Sequence, residues 1–374
     1  MPRLRDDRGI ALPLAIFALV VVGAMVAGAF FIGRQEQSVG RNSVKLQQAF
    51  AAAEGGAQAL VANWNTDVYN QLTAGGSLDF GPASLGNGWY RGTLLRLNDQ
   101  LFVVRSEGFD RDSTTRQQVG LLLRLRPIEI DISAALETQG NLRIGGSSDI
   151  DGDDSSPLGW LCPPLEPSLP GIRMPDTSLI TTPGCANIND CVDGDPLVQE
   201  DPTITGTSLM TFGDATFDEL RAIANKVVYP PPSTNMVIQP ELTISGQCNK
   251  TLDSNWGSPL DPLGPCGTYF PVIWVEGDMN INGVQGQGIL LVDGNLDVQG
   301  RFEFFGPVIV RGVLSTQGTG GHFNGGVIAA NINLDQNTVL GDAVITYSSC
   351  ALERALQASA QGDILRERSW VNMY

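Results

Sequence analysis

Histidine occurs once in these 374 residues, at His322. One imidazole excludes a zinc site built from several histidines and assigns no Ser-His-Asp triad. His322 follows Gly320-Gly321, a corner sequence, and has no partner set that marks it as catalytic. No phosphate-binding loop occurs either; the glycines fall in a different spacing. Positive charge is scarce, with 23 Lys and Arg against 40 Asp and Glu, a net charge of −17 and a pI near 4.4. That balance argues against nucleic acid or an anionic lipid surface as partner of the hydrophilic part. Charge of either sign is missing altogether from Gly9 to Gly33.

That uncharged run is the most informative stretch. A bilayer core of roughly 30 Å takes about 20 apolar residues in a helix, and Ile10 to Gly33 meets the length. Nine residues precede it, with Arg3, Arg5 and Arg8 against Asp6 and Asp7. Positive flanks stay in the cytoplasm. The run therefore reads as a single pass through the cytoplasmic membrane with the N-terminus inside. The run is too long for a secretory signal, and its small residue, Gly9, lies before it rather than after.

A short basic leader, a Gly and a retained apolar helix resemble the type IV prepilin signal. The resemblance implies cleavage between Gly9 and Ile10 by a prepilin peptidase and methylation of the new N-terminus at Ile10. Major pilins carry Glu at the fifth mature position; here it is Leu14. Gly9-Ile10-Ala11-Leu12-Pro13-Leu14-Ala15, with Ala53-Glu54-Gly55-Gly56-Ala57 further on, is most similar to the N-terminal region of PilX-type minor pilins. Partners implied are other pilin or pseudopilin subunits through the helix, the peptidase and membrane lipid. The C-terminal part would be periplasmic or in an extracellular fibre. An uncleaved signal anchor is the alternative.

From Arg34 to Trp64 the helix continues. Val39, Leu46, Ala53 and Leu60 recur every seven residues, and Phe50, Ala57 and Trp64 do so at an offset of four, making one stripe to pack on a head. Three strands follow: Trp89–Leu97, a turn at Asn98-Asp99, Gln100–Gly108, and Thr114–Arg126, stopped by Pro127. Helix plus antiparallel meander is the arrangement the pilin resemblance implies.

Beyond Pro127 the pattern repeats. Gly277–Gly283, Gly294–Gly300, Gly312–Gly318 and Ala330–Gln336 align at spacings of 17 or 18, each after a short apolar strand. Such repeats predict a β-solenoid, or parallel β-helix, in which each rung buries its inward residues on the next. Inward pairs are expected at Met279 and Ile281, Leu296 and Val298, Leu314 and Thr316, and Ile332 and Leu334. A further copy, Gly140–Gly146, lies upstream. The repeat is similar to bactofilin-like polymer-forming domains in shape, though those act in the cytoplasm.

The expected organisation is a leader over 1–9, a transmembrane and stem helix over 10–64, and an antiparallel sheet over 65–127. First solenoid strands fall in 128–146, a Cys- and Pro-rich insertion in 147–270, the solenoid in 271–350, and a capping helix with a terminal strand in 351–374. Within the insertion, Asp214–Val228 reads as a helix. The fold class is mostly β with a long N-terminal α-helix.

Six cysteines in an exported chain read as disulfides. Six allow 15 pairings. Proximity favours Cys185 with Cys191 and Cys248 with Cys266, which leaves Cys162 for Cys350. Asp149, Asp151 and Asp153 are spaced two apart, as in loops that hold calcium; Asp190, Asp193 and Asp195 form a second acidic cluster. Neither matches an EF-hand, and a solvated acidic turn explains both; no cofactor is otherwise implied.

Three functions follow. The first is a minor pilin-like structural subunit displaying a solenoid. The second is a pilus-tip adhesin binding glycan or a surface ligand, with an aromatic groove drawn from Trp160, Trp256, Tyr269, Trp274 and Phe302-Glu303-Phe304-Phe305. The third is a β-helix polysaccharide-degrading enzyme using Asp297 and Glu303. Nothing singles out a catalytic cluster, so a non-enzymatic role is expected.

Overall fold

The computed structural model describes residues 11–98, 100–213, 215–231, 234–365 and 370–373. Two compact units emerge: one from Met1–Trp64, Leu72–Arg124 and Gly362–Tyr374, the other from Asn65–Gln71 and Leu125–Gln361. The second is thus inserted into the first.

In the first unit a 52-residue helix, α1 (Ala11–Ala62), packs only its C-terminal part on a sheet. That sheet is an antiparallel meander of β1 (Ser77–Leu85), β2 (Gly88–Arg96), β3 (Leu101–Asp110) and β4 (Arg116–Arg126). β1 was not expected, because Gly81-Pro82 interrupts its alternation; the register shifts between Phe80 and Ala83 there. The terminal strand Trp370–Met373 pairs antiparallel with Gln118–Leu121 of β4. The C-terminal segment therefore completes the N-terminal sheet.

The second unit is a three-sided parallel β-helix. Four consecutive turns supply one strand to each of three parallel sheets. They begin at Val272–Val275, Ile289–Val292, Val308–Val310 and Val327–Ala329. Apolar ladders run through the interior, as with Met279, Leu296 and Leu314, or Ile273, Leu290, Val308 and Val327. These side chains are essentially inaccessible.

The fourth rung departs from the repeat. Ile332 and Leu334 are half exposed, not inward. Asn331 and Leu334 take positive φ, so the chain loops out, and the strand forms at Gln336–Val339 instead. Asn337 and Val339 take the inward places. Asn337 is fully paired there: its Oδ1 accepts from Leu314 N at 3.0 Å and its Nδ2 donates to Thr138 Oγ1 at 2.9 Å.

The span 147–270 is not an insertion. Strands at Leu136–Thr138, Asn141–Ile144 and Asp149–Asp151 form a rung that stacks on the last of the four turns. Ile172–Met174, Ile180–Thr181 and Val192–Asp193 stack below it, followed by Val198–Glu200. The chain then crosses to the far end, where Lys226–Val228 pairs with Val272–Val275. Sequence order and stacking order therefore differ. These strands have two to four residues, too few to show a period.

The expected helix over Asp214–Val228 shortens to Phe217–Ala222, with a Thr216–Glu219 capping box, and Lys226–Val228 is strand; Asp214 lies outside the described residues. The helix Ser349–Ser359 does not cap an end. It lies against the strand Phe302–Phe305, and its Ala351, Leu352 and Ala355 belong to one buried apolar cluster with the outward-facing Ile289, Leu291, Ile309 and Ile328. Those strands are apolar on both faces because both are covered.

Candidate functional site

Apolar surface without a protein partner is concentrated on α1. From Leu12 to Gln48 no described side chain is buried; Phe17, Leu19, Met25 and Phe30 are each at least 70% exposed. The helix is long and apolar enough to cross a membrane by length and composition. The cleavage and methylation positions Gly9 and Ile10 lie outside the described residues.

The helix buries side chains on its sheet only from Ala49 onward. Ala49, Ala52, Ala53, Ala57, Leu60 and Trp64 are buried, whereas Val39, Leu46 and Phe50 of the expected stripe are exposed. Small residues allow close approach, and the sheet answers with glycine. A Cβ at Gly108 of β3 would overlap the backbone of Ala49 and Ala53. Trp64 closes the contact edge-on to Phe102, with ring centroids 5.3 Å apart. Lys45 ties the helix to the β3–β4 turn through Thr114 Oγ1 at 2.9 Å and Asp110 at 3.6 Å. Sequence periodicity located the helix but missed Gly108, whose signal is an isolated Gly inside a strand pattern.

All six cysteines are paired: Cys162–Cys350, Cys185–Cys191 and Cys248–Cys266. The first joins the excursion after Asp149–Asp151 to the flank helix across 188 residues, and the third braces the loops at the far end of the solenoid.

The acidic residues do not converge on an ion. Among the described residues, no three His, Cys, Asp or Glu side chains form a group suited to hold a metal. Asp149 and Asp151 stand on one strand instead of curling round a loop, and Asp151 Oδ1 accepts from Asp153 N at 2.8 Å. Asp193 lies in register with Asp151 on the next strand. Asp190 is used locally, accepting from Asn187 N at 2.8 Å.

Partial burial pushes the Asp149 and Asp151 carboxyls above their ordinary values, and Asp193 adds repulsion to both. A raised folded-state pKa means that the fold holds the proton more tightly than the unfolded chain does. This contribution to stability is full below the unfolded value and is lost as pH rises through the folded one. Asp149→Asn and Asp151→Asn should therefore raise Tm at neutral pH, by about 1–2 °C. The gain should vanish as pH falls through the carboxylate range. Melting curves across pH check this, and a gain that grows with acidity would contradict the repulsion.

The remaining candidates are dispersed. Trp160, Trp256, Tyr269, Phe302, Phe304 and Phe305 are buried and Trp274 is half-buried under Arg221, so they build the core and its cover instead of lining a groove. Asp297 and Glu303 belong to different sheets, hence to different faces. His322 is in register with Glu303, with Nδ1 4.0 Å from the carboxylate, and its Nε2 is 3.2 Å from Asp342 O.

No family profile matches the chain, and no curated protein matches it. Among solved structures it is similar to the competence-associated pilin ComZ from Thermus thermophilus, at 14% identity, covering 88% of this chain and 97% of that one, with a TM-score of 0.23. At so low a structural similarity the fold stands on the strand registers alone.

Proposed function

We propose that the chain is a minor pilin-like structural subunit of a type IV pilus or related secretion fibre. The observation that carries this reading is the division of α1. Its apolar first part buries no described side chain from Leu12 to Val44, and its last part seats through alanines on a glycine-bearing antiparallel sheet. An apolar, unpaired helix needs lipid or other apolar helices around it. Both are offered where subunits wait in a membrane and pack into a fibre. On this reading the basic leader keeps the N-terminus inside, and the sheet of the first unit and the whole second unit lie outside the cytoplasmic membrane, which suits three disulfides.

Leu14 in place of Glu, with the PilX-type wording of the first residues, fits a minor subunit better than a major one. The solenoid is then a displayed body, bactofilin-like in its repeat and not in its location. Cleavage after Gly9 and methylation of Ile10 follow from this reading. N-terminal mass analysis of membrane-extracted protein should find a methylated chain starting at Ile10, and replacing Gly9 by a bulky residue should block this maturation. The processed chain should also be present in sheared fibres. An intact Met1 together with absence from fibres would leave a simple membrane anchor and overturn the proposal.

A further inference from the structure

Two proline-rich loops of the solenoid unit expose leucines that pack on nothing. Leu158 is 95% exposed, Leu161 92% and Leu263 98%, with Leu260 at 50%. Single exposed leucines are ordinary; four on two touching loops are not. The loops meet where Trp160 Nε1 donates to Pro259 O at 2.9 Å. Trp160 itself is buried, stacked 5.5 Å from Phe305. Arg354 lies over its ring at 4.6 Å and donates to Leu161 O at 2.8 Å. One loop is fixed by Cys162–Cys350, and the other begins at Ser258, whose N–H donates to Cys266 O at 3.1 Å beside Cys248–Cys266. A braced loop has already lost the freedom that binding would otherwise remove.

We propose that these leucines form a docking surface for a partner protein presenting an apolar ridge flanked by lysine or arginine. Charge selects this occupant. No Lys or Arg lies between Arg143 and Arg173 or between Lys250 and Arg301, so both loops contribute only carboxylates, with Glu166 and Asp261 exposed on the same two loops. Arg354 is spent on Trp160 and Leu161 O, and Lys250 on the Tyr269 ring at 5.0 Å. A second copy of the chain would bring the same carboxylates face to face, each chain carrying −17, and an anionic membrane would be repelled. A cationic rim is attracted, which speeds encounter and fixes register, while the apolar centre supplies affinity.

The test uses the full chain in zwitterionic nanodiscs and a fluorescent amphipathic peptide of leucine and lysine. Its control peptide has glutamate for lysine. The wild type should bind the leucine–lysine peptide, and L158S/L161S/L263S should weaken binding by roughly tenfold or more with Tm unchanged. E166Q/D261N should weaken it several-fold, and the glutamate peptide should bind at least tenfold less well. Because the triple variant keeps every charge, equal binding by it would reduce the attraction to net charge and overturn the proposal. So would equal binding of the two peptides, or no binding by the wild type. Binding to added phosphatidylcholine vesicles that the triple variant loses would assign the patch to lipid, and a sedimenting dimer that it loses would assign the patch to a second copy; either also overturns the proposal.

Discussion

Replacing Gly108 by alanine should release α1 from its sheet. The added methyl group would meet the main chain of Ala49 and Ala53, and a helix backbone cannot swing aside as a side chain does. Overpacking against side chains costs about 1–3 kcal/mol; against backbone the helix must lift, and the burial of Ala49, Ala53, Ala57 and Leu60 goes with it. A loss of about 3 kcal/mol or more is expected for this unit. Amide exchange in β3 and limited proteolysis after Phe50 should both speed up. Gly40 is the control: a Cβ there meets nothing, so Gly40→Ala should stabilise the helix by up to about 1 kcal/mol. Unchanged protection in Gly108→Ala would mean that the helix is not seated as described.

Replacing Leu296 by alanine should unfold more than its own rung. Leu296 is fully buried between Met279 and Leu314, and removing a buried leucine costs about 2–5 kcal/mol. Each rung buries its interior only against its neighbours, so the damage spreads along the stack. Asp297, one residue on, sits in the outward row with Asn280 and Ser315, and Asp297→Ala should stay within about 0.5 kcal/mol. Thermal unfolding of the two variants separates the cases. Similar losses in both would dissolve the inward ladder, and a polysaccharide-cleaving activity lost only in Asp297→Ala would replace a scaffold with an enzyme.

Regular elements with long periods were legible in the sequence. The uncharged run marked α1, alternation marked β2 to β4, and glycine corners at 17 or 18 residues marked three solenoid turns correctly. The fourth failed because Ile332 and Leu334 match the pattern in composition while the backbone at Asn331 and Leu334 turns left-handed. Strands such as Ile180–Thr181 and Val192–Asp193 are shorter than any period, and their position is decided by the rung beneath them. Cysteine spacing pointed to the observed pairs, since two pairs are local and the last two cysteines have only each other. The docking of α1 was half legible: the alanines show in the stripe, but the glycine that receives them lies about 55 residues further on. The leucine surface was hidden because composition cannot tell a buried leucine from an exposed one, and Trp160, counted as a groove candidate, is the post that holds the loops together.

The crossed chain order has a consequence in time. A polypeptide emerges from a ribosome or translocon from its N-terminus. The strand Leu136–Thr138 leaves early, yet the neighbour on its upper side, Val327–Ala329, follows about 190 residues later. β4 waits longer still, since its partner Trp370–Met373 lies about 250 residues further along the chain. Each sheet stays incomplete until its late partner has emerged. Two apolar edges stay open throughout that interval, and open edges invite wrong pairing. A chain so wired gains its native state late, and until then it depends on whatever shields unfinished strands in the compartment that receives it.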